Sequence, residues 1–207
     1  MIGIIDYNAG NITSVERALK KLGIEYIRSK KPADLANCQK LLFPGVGDAA
    51  YAMKQLKETG FDTFIKESAK KGIPLFGICL GSQIIFEKSE EGNVDCLGLI
   101  KGSIKHFYTI NKDLKKEDLK VPHMGWNNLK RKNGSSPLLE GIPESSDFYF
   151  VHSYVICPSD EKVIKATADY GIEVPSLIQK DNIFASQFHP EKSGEVGLKM
   201  LENFCNL

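Results

Sequence analysis

The 207-residue chain carries 27 basic and 26 acidic residues, a net charge of +1, and 42% of its residues are hydrophobic. That length supplies a full core for one α/β domain, and near-neutral, interspersed charge argues against nucleic acid or a membrane surface as a general partner. The five cysteines, Cys38, Cys79, Cys96, Cys157 and Cys205, are odd in number and lack C-x-x-C spacing, so neither a disulfide framework nor a zinc site is indicated and a reducing cytosol fits.

Taken in chain order, Ile2 to Ile5 reads as a buried strand, followed by a helix marked by Ile12, Val15, Leu19 and Leu22 and ended by Gly23. The opening Met1 to Asp6 has no basic region ahead of its apolar residues, and no apolar run approaches membrane length, so a soluble, intracellular protein is expected. Strands near residues 24–28 and 40–44 alternate with helices around 49–57 and 61–71, a βα pattern that favours a parallel sheet. Residues 73–76 read as a short buried strand and 83–87 as the opening of a helix.

From about Gly98 the pattern changes to short alternating segments at 103–110, 148–157 and 163–170, read as largely antiparallel strands added to the core. The charged stretch from Lys112 to Lys120 mixes both signs and reads as a solvated, mobile surface segment. A strand at 183–188 and a helix at 194–204 complete the chain. No linker, repeat or shift in composition divides it, so one domain over 1–207 is expected, with a central mostly parallel sheet flanked by helices.

The chemistry concentrates in two places. Cys79 sits on the strand-to-helix turn of Gly77-Ile78-Cys79-Leu80-Gly81-Ser82-Gln83. Glycines two before and two after it allow a tight turn without Cβ collisions, as in the G-x-S-x-G elbow of hydrolases with sulfur replacing oxygen. The helix N-terminus beyond offers unpaired N–H donors and partial positive charge, which favour a thiolate and a developing oxyanion. His189 should project from the end of the 183–188 strand, with Glu191 two residues on to fix its tautomer. Pro44-Gly45-Val46-Gly47, taken alone, is a strand-ending turn, yet it too lies at a strand's carboxyl end, where open α/β sheets bind ligands.

The order Pro44 to Gly47, Gly77 to Gln83, then His189-Pro190-Glu191 resembles the class I (triad) glutamine amidotransferases across the whole chain. The motifs at Asp6 to Asn11, Pro122 to Asn127, Tyr149 to Tyr154 and Gln187 to Ser193 are similar to those of the glutaminase subunits of imidazole glycerol phosphate synthases. That resemblance implies hydrolysis of glutamine by Cys79, His189 and Glu191, with the N–H groups of Val46 and Leu80 as oxyanion donors. It further implies that Gly45 lines the site, that Gln83 contacts the substrate, and that Ser153 and Tyr154 offer N–H groups to the α-carboxylate. Glu91 fits an ammonium contact in the family pattern and, equally, a solvated helix end. Ser82 departs from the family, where Met is common, and should alter packing only; His152 reads as structural.

No cofactor and no metal are implied. The partner implied is a (β/α)₈-barrel cyclase subunit, forming a heterodimer and receiving ammonia through its interior. Asn11, Trp126, Tyr149 and Lys192 occupy family positions at or near that contact, although Trp126 and Tyr149 also suit core aromatics and Lys192 a surface charge. Two other readings stay open: a paralogous glutaminase serving another acceptor, as in surface-sugar amidation, and a non-catalytic module of the same fold. Intact Cys79, His189 and Glu191 argue against the second.

Overall fold

A computed structural model describes residues 1–115 and 119–207 of the chain. The first half alternates β1 (Ile2–Ile5), α1 (Ile12–Lys21), β2 (Tyr26–Ser29), β3 (Lys40–Gly45), α2 (Ala49–Thr59), α3 (Phe61–Lys70) and β4 (Leu75–Cys79). Every residue of β1 and β4 is buried, as expected for parallel strands covered on both faces. α1 buries Ile12, Val15, Ala18 and Leu19 along one stripe, and Lys20 and Lys21 face the negative end of its dipole. Asp48 caps α2 by accepting from the Tyr51 N–H at 2.8 Å.

The remainder comprises α4 (Leu80–Ile84), β5 (Lys88–Ser89), β6 (Val94–Asp95), β7 (Gly102–His106), α5 (Phe107–Ile110), β8 (His123–Asn128), β9 (Lys130–Arg131), β10 (Asp147–His152), β11 (Tyr154–Pro158), β12 (Ile164–Asp169), β13 (Glu173–Lys180), β14 (Ile183–Ser186) and α6 (Gly194–Cys205). An eight-stranded sheet runs in the order β2-β1-β3-β4-β14-β13-β12-β9, parallel from β2 to β14 and antiparallel beyond. A second sheet is ordered β11-β7-β5-β6, and β8 with β10 forms a two-stranded ribbon. The fold is therefore α/β with a mixed sheet, as the alternation predicts. Register pairs Gly45 with Cys79 and Ser186 with Ile78, so the ends of β3, β4 and β14 lie side by side.

Four expectations need correction. The 103–110 segment is a strand only as far as His106, whose Nδ1 accepts from the Tyr108 N–H at 3.2 Å and so caps the short helix α5 over the remaining residues. The helix after Cys79 occupies Leu80–Ile84 rather than 83–87. The carbonyls of Ile84, Ile85 and Phe86 accept instead from Leu97, Leu99 and Gly98 at 2.7–2.9 Å, so tertiary partners take the groups a longer helix would use. The segment 148–157 is not one strand: it breaks at Ser153, with β10 pairing to β8 and β11 to β7 in a different sheet. The Lys112–Lys120 stretch is anchored where it is described, and residues 116–118 lie outside the described residues. Leu114 is fully buried against Phe107, Val155 and Val174, and Tyr170 Oη donates to Lys120 O at 2.7 Å.

Two apolar clusters cover the faces of the large sheet, one packed under α2 and α3, the other under α1 and α6. Among the described residues, no helix is long and apolar enough to cross a membrane. α6 closes the second cluster through Phe204, whose ring packs 5.3 Å from Phe76 and 6.0 Å from Phe184. Phe204→Ala is expected to destabilise the protein by about 3 to 5 kcal/mol, measured by urea unfolding; a loss well under about 1 kcal/mol would mean the site relaxes around the void.

Candidate active site

Cys79 leaves β4 with φ 54° and ψ −112°, a positive-φ conformation that a non-glycine residue holds only when its surroundings enforce it. The enforcement is steric. A Cβ on Gly77 would meet the Gly81 carbonyl at 2.8 Å, and one on Gly81 would collide with the carbonyl oxygen of Phe43. The two glycines therefore let α4 start directly on β3 and β4. Ser82, fully buried, donates to the Cys79 carbonyl at 2.5 Å and so braces the elbow from behind, which agrees with a packing role.

His189 and Glu191 arrive from the far side. β14 ends at Ser186, the His189 N–H donates to Tyr149 O at 2.9 Å, and His189 Nδ1 lies 2.7 Å from Glu191 Oε1. Both side chains are almost wholly buried, at 2% exposure each. A carboxylate only accepts, so Nδ1 carries the proton and Nε2 is the nitrogen left for Cys79. Nε2 is buried outside strict hydrogen-bond geometry with the described protein groups, yet close enough for the Cys79 thiolate to couple to it. Burial disfavours the imidazolium, but the Cys79 thiolate and then Glu191 outweigh it and push His189 up to about 10. The arrangement sets a base held by a carboxylate beside a cysteine at a strand-to-helix elbow, the grouping that nucleophilic attack on a carbonyl carbon requires.

A cavity of about 330 Å³ opens over this pair. Cys79, Leu80, Gln83, Glu91, Ser153, Tyr154 and His189 are among the residues that line it. Gln83 Nε2 donates to Tyr154 O at 3.2 Å and to Gln187 Oε1 at 2.8 Å, which leaves Gln83 Oε1 available to a ligand. Glu91 is not a solvated helix end: it opens a short 3₁₀ turn, and its Oε2 accepts from the Ala49 N–H at 3.0 Å. Burial raises its pKa, partly countered by that hydrogen bond.

The two expected oxyanion donors differ. Leu80 begins α4, so helix geometry leaves its N–H without an intrahelical acceptor. Val46 lines the cavity, but its N–H is committed elsewhere, donating to Ala9 O at 3.3 Å. Gly45 lies behind the cavity, where any Cβ would strike the Tyr7 hydroxyl and approach Gly81 N at 2.8 Å. Tyr7 itself is fully buried, its hydroxyl without a hydrogen-bond partner among the described residues, and burial and the Cys79 charge both raise its pKa.

Beside the cavity the β8–β10 ribbon turns Met124 and Trp126 outward, 61% and 59% exposed. Trp126 pairs across the ribbon with Tyr149, ring centroids 5.9 Å apart, and Lys192 Nζ stands 5.8 Å above the Tyr149 ring. Trp126 is thus no core aromatic. Asn11 precedes α1 without capping it, and its neighbour Gly10 lies against Pro44 O, near the end of the strand that leads into Val46.

The family profile described as "Glutamine amidotransferase class-I" matches residues 3–207. The chain belongs to the class I glutamine amidotransferases. Among curated amidotransferase relatives, "Imidazole glycerol phosphate synthase subunit HisH" of Geobacillus thermodenitrificans (strain NG80-2) is 47% identical over 208 residues, covering all of this chain and 96% of that protein. The protein of the same description from Methanocaldococcus jannaschii is 48% identical with full coverage of both, and that of Dehalococcoides mccartyi (strain CBDB1) is 44% identical, covering 97% of the relative. A crystal structure of a glutamine amidotransferase superposes with a TM-score of 0.74 at 22% identity, covering 100% of this chain and 99% of that one, and shares the fold.

The cavity also includes Gly47, from the strand-ending motif expected there, Lys192, expected at the partner face instead, and Pro122, Val151 and His152, which sequence reasoning did not assign to it. Gln187 was missed as well, though it lies in the quoted run ahead of His189 and holds Gln83. Because the raised value of His189 depends first on Cys79, NMR titration should show its imidazolium surviving to about pH 10 in the wild type and titrating well below that in Cys79→Ala. Equal values in the two proteins would mean that no thiolate stands beside the ring.

Proposed function

We propose that this chain is the glutaminase subunit of an imidazole glycerol phosphate synthase, releasing ammonia from glutamine for a cyclase subunit that forms imidazole glycerol phosphate and AICAR in histidine biosynthesis. The observation that carries the reading is the Cys79 elbow facing the His189–Glu191 pair in one cavity, in a chain that aligns end to end with relatives described as subunits of that synthase. The whole of residues 1–207 acts as one glutamine amidotransferase domain, and the cytoplasm is its location.

In this reading Cys79 attacks the side-chain amide carbon of glutamine, and His189 hands its Nε2 proton to the departing ammonia. His189, held by Glu191, then takes a proton from the water that cleaves the thioester, and glutamate leaves. Gln83 contacts the substrate, the N–H groups of Ser153 and Tyr154 receive its α-carboxylate, and Glu91 its ammonium. Leu80 N–H supplies one oxyanion donor. Val46 N–H supplies the second only after leaving Ala9 O, so the resting chain lacks half of its oxyanion hole. A missing donor of this type costs on the order of 10² to 10³ in kcat.

The partner is a (β/α)₈-barrel cyclase, bound as a heterodimer on the face carrying Asn11, Trp126, Tyr149 and Lys192. An exposed Trp–Met patch beside a Lys–Tyr contact has the chemistry of an interface anchor. Ammonia released at Cys79 then enters the barrel before bulk water protonates it. Docking beside the Asp6 to Asn11 loop also places the partner against the acceptor that holds Val46.

Glutamate release is the deciding measurement, for the chain alone and with a cognate cyclase carrying its nucleotide ligand. The complex should exceed the isolated chain by about 10²- to 10³-fold, the contribution of one aligned donor. No stimulation by a cyclase active on ammonium would point instead to another acceptor. Cys79→Ala should abolish glutaminase activity while the complex still uses ammonium; wild-type glutamate release by that variant would sink the mechanism. Lys192→Ala should reduce the stimulation ratio with little change in thermal stability, and an unchanged ratio and affinity would remove Lys192 from the interface.

A further inference from the structure

Two buried histidines outside the triad, His123 on β8 and His152 at the end of β10, form a hydrogen-bonded chain whose proton positions follow from its ends. His152 Nδ1 lies 2.7 Å from Tyr154 O, and a carbonyl oxygen only accepts, so Nδ1 carries the proton. Burial keeps both rings neutral, lowering His152 to about 3 and His123 to about 4. A neutral ring carries one proton, so His152 Nε2 is an acceptor, and the group 3.1 Å away, His123 Nδ1, is its donor. His123 Nε2 is then an acceptor in turn, met by Asn127 Nδ2 at 3.3 Å, while the same amide donates to Asp169 O at 2.9 Å.

Every link has a donor matched to an acceptor, and stacking fixes the orientation. His123 lies between Phe150, 4.5 Å away, and Tyr170, 4.0 Å away, each within 18° of parallel. The chain begins on β8, the strand whose outer side carries Met124 and Trp126. It ends on Tyr154 O, the atom that also accepts from Gln83. Its far end therefore sets the turn at Ser153 where the backbone leaves β10 for β11 and passes from one sheet to another.

We propose that His123 and His152, locked as neutral tautomers by Asn127, are positioning residues for glutamine: they hold the Ser153–Tyr154 turn in the shape that receives the substrate's carboxylate. This rests on the reading of that turn as the carboxylate site. Neither histidine touches the reacting atoms, so the consequence lies in substrate affinity rather than in the chemical step. Replacing His123 by Phe keeps a planar ring for the stack but removes the donor to His152 Nε2, leaving a buried acceptor unmatched. Replacing it by Asn restores an N–H near the position of Nδ1.

The test is steady-state glutaminase kinetics of the complex with the cyclase, joined to calorimetric binding of glutamine by the same variants in a Cys79→Ala background. His123→Phe should raise KM and Kd for glutamine about tenfold with kcat within about twofold of wild type, and His123→Asn should recover most of that loss. Asn127→Ala, which frees the His123 tautomer without altering the stack, should raise KM severalfold and gives the reading if His123→Phe does not fold. Wild-type KM and Kd in these variants, or equal losses for Phe and Asn carried in kcat, would overturn the brace while leaving the glutaminase reading intact. A wild-type complex that releases no glutamate would overturn both.

Discussion

The structure depends on one close approach, where the first turn of α4 lies directly against β3 and β4. Gly77 and Gly81 leave no room for a Cβ between the Phe43 carbonyl, the Gly81 backbone and the elbow. That contact forces Cys79 to φ 54°, and the strained turn lifts the thiol off the end of the sheet. It also shortens the helix. With α4 pinned at its start, the carbonyls of Ile84 to Phe86 are taken by residues 97–99, and the chain crosses into the second sheet that supplies Tyr154. Elbow and cavity wall thus meet through the same packing.

Charge at the elbow is managed by pairing in a dry environment. His189 and Glu191 are almost wholly excluded from water, where a solitary charge would be costly. Burial alone would favour neutral imidazole; the Cys79 thiolate and Glu191 reverse that preference. His123 and His152 show the opposite outcome. Among the described residues they have no anionic partner, so burial prevails and both stay neutral, which makes them useful as fixed donors and acceptors. Identical side chains in one fold are driven to opposite charge states by what stands beside them.

The turn at Val46, proposed as the second oxyanion donor, shows how such a site can rest without being dismantled. Val46 N–H and Ala9 O form an ordinary backbone hydrogen bond at 3.3 Å, worth about 1 kcal/mol net. A contact of that size holds the resting form and yields to modest binding energy from a partner. The β8–β10 ribbon offers the area for such a partner, since Trp126 and Met124 stay exposed on one side while His123 and Phe150 are buried on the other. The two sides follow from the alternation of strands, outward residues meeting solvent and inward ones the substrate wall.

The residues proposed as nucleophile, base and orienter were legible because each is local: a glycine-flanked cysteine between strand and helix, and a histidine with a carboxylate two residues on. Helix periodicity likewise placed α1, α2, α3 and α6 to within a few residues. Local pattern failed where partners are distant. The break at Ser153 is invisible in an alternating run, because only pairing with β8 on one side and β7 on the other divides it. The resting state of Val46, the hold of Gln187 on Gln83 and the tautomer of His123 are set by atoms tens of residues away. The sequence by itself determined which groups are candidates for the chemistry and the α/β alternation that carries them. Tertiary structure alone decided how those groups are oriented and charged, since hydrogen-bond direction and burial belong to contacts between segments rather than to any one segment.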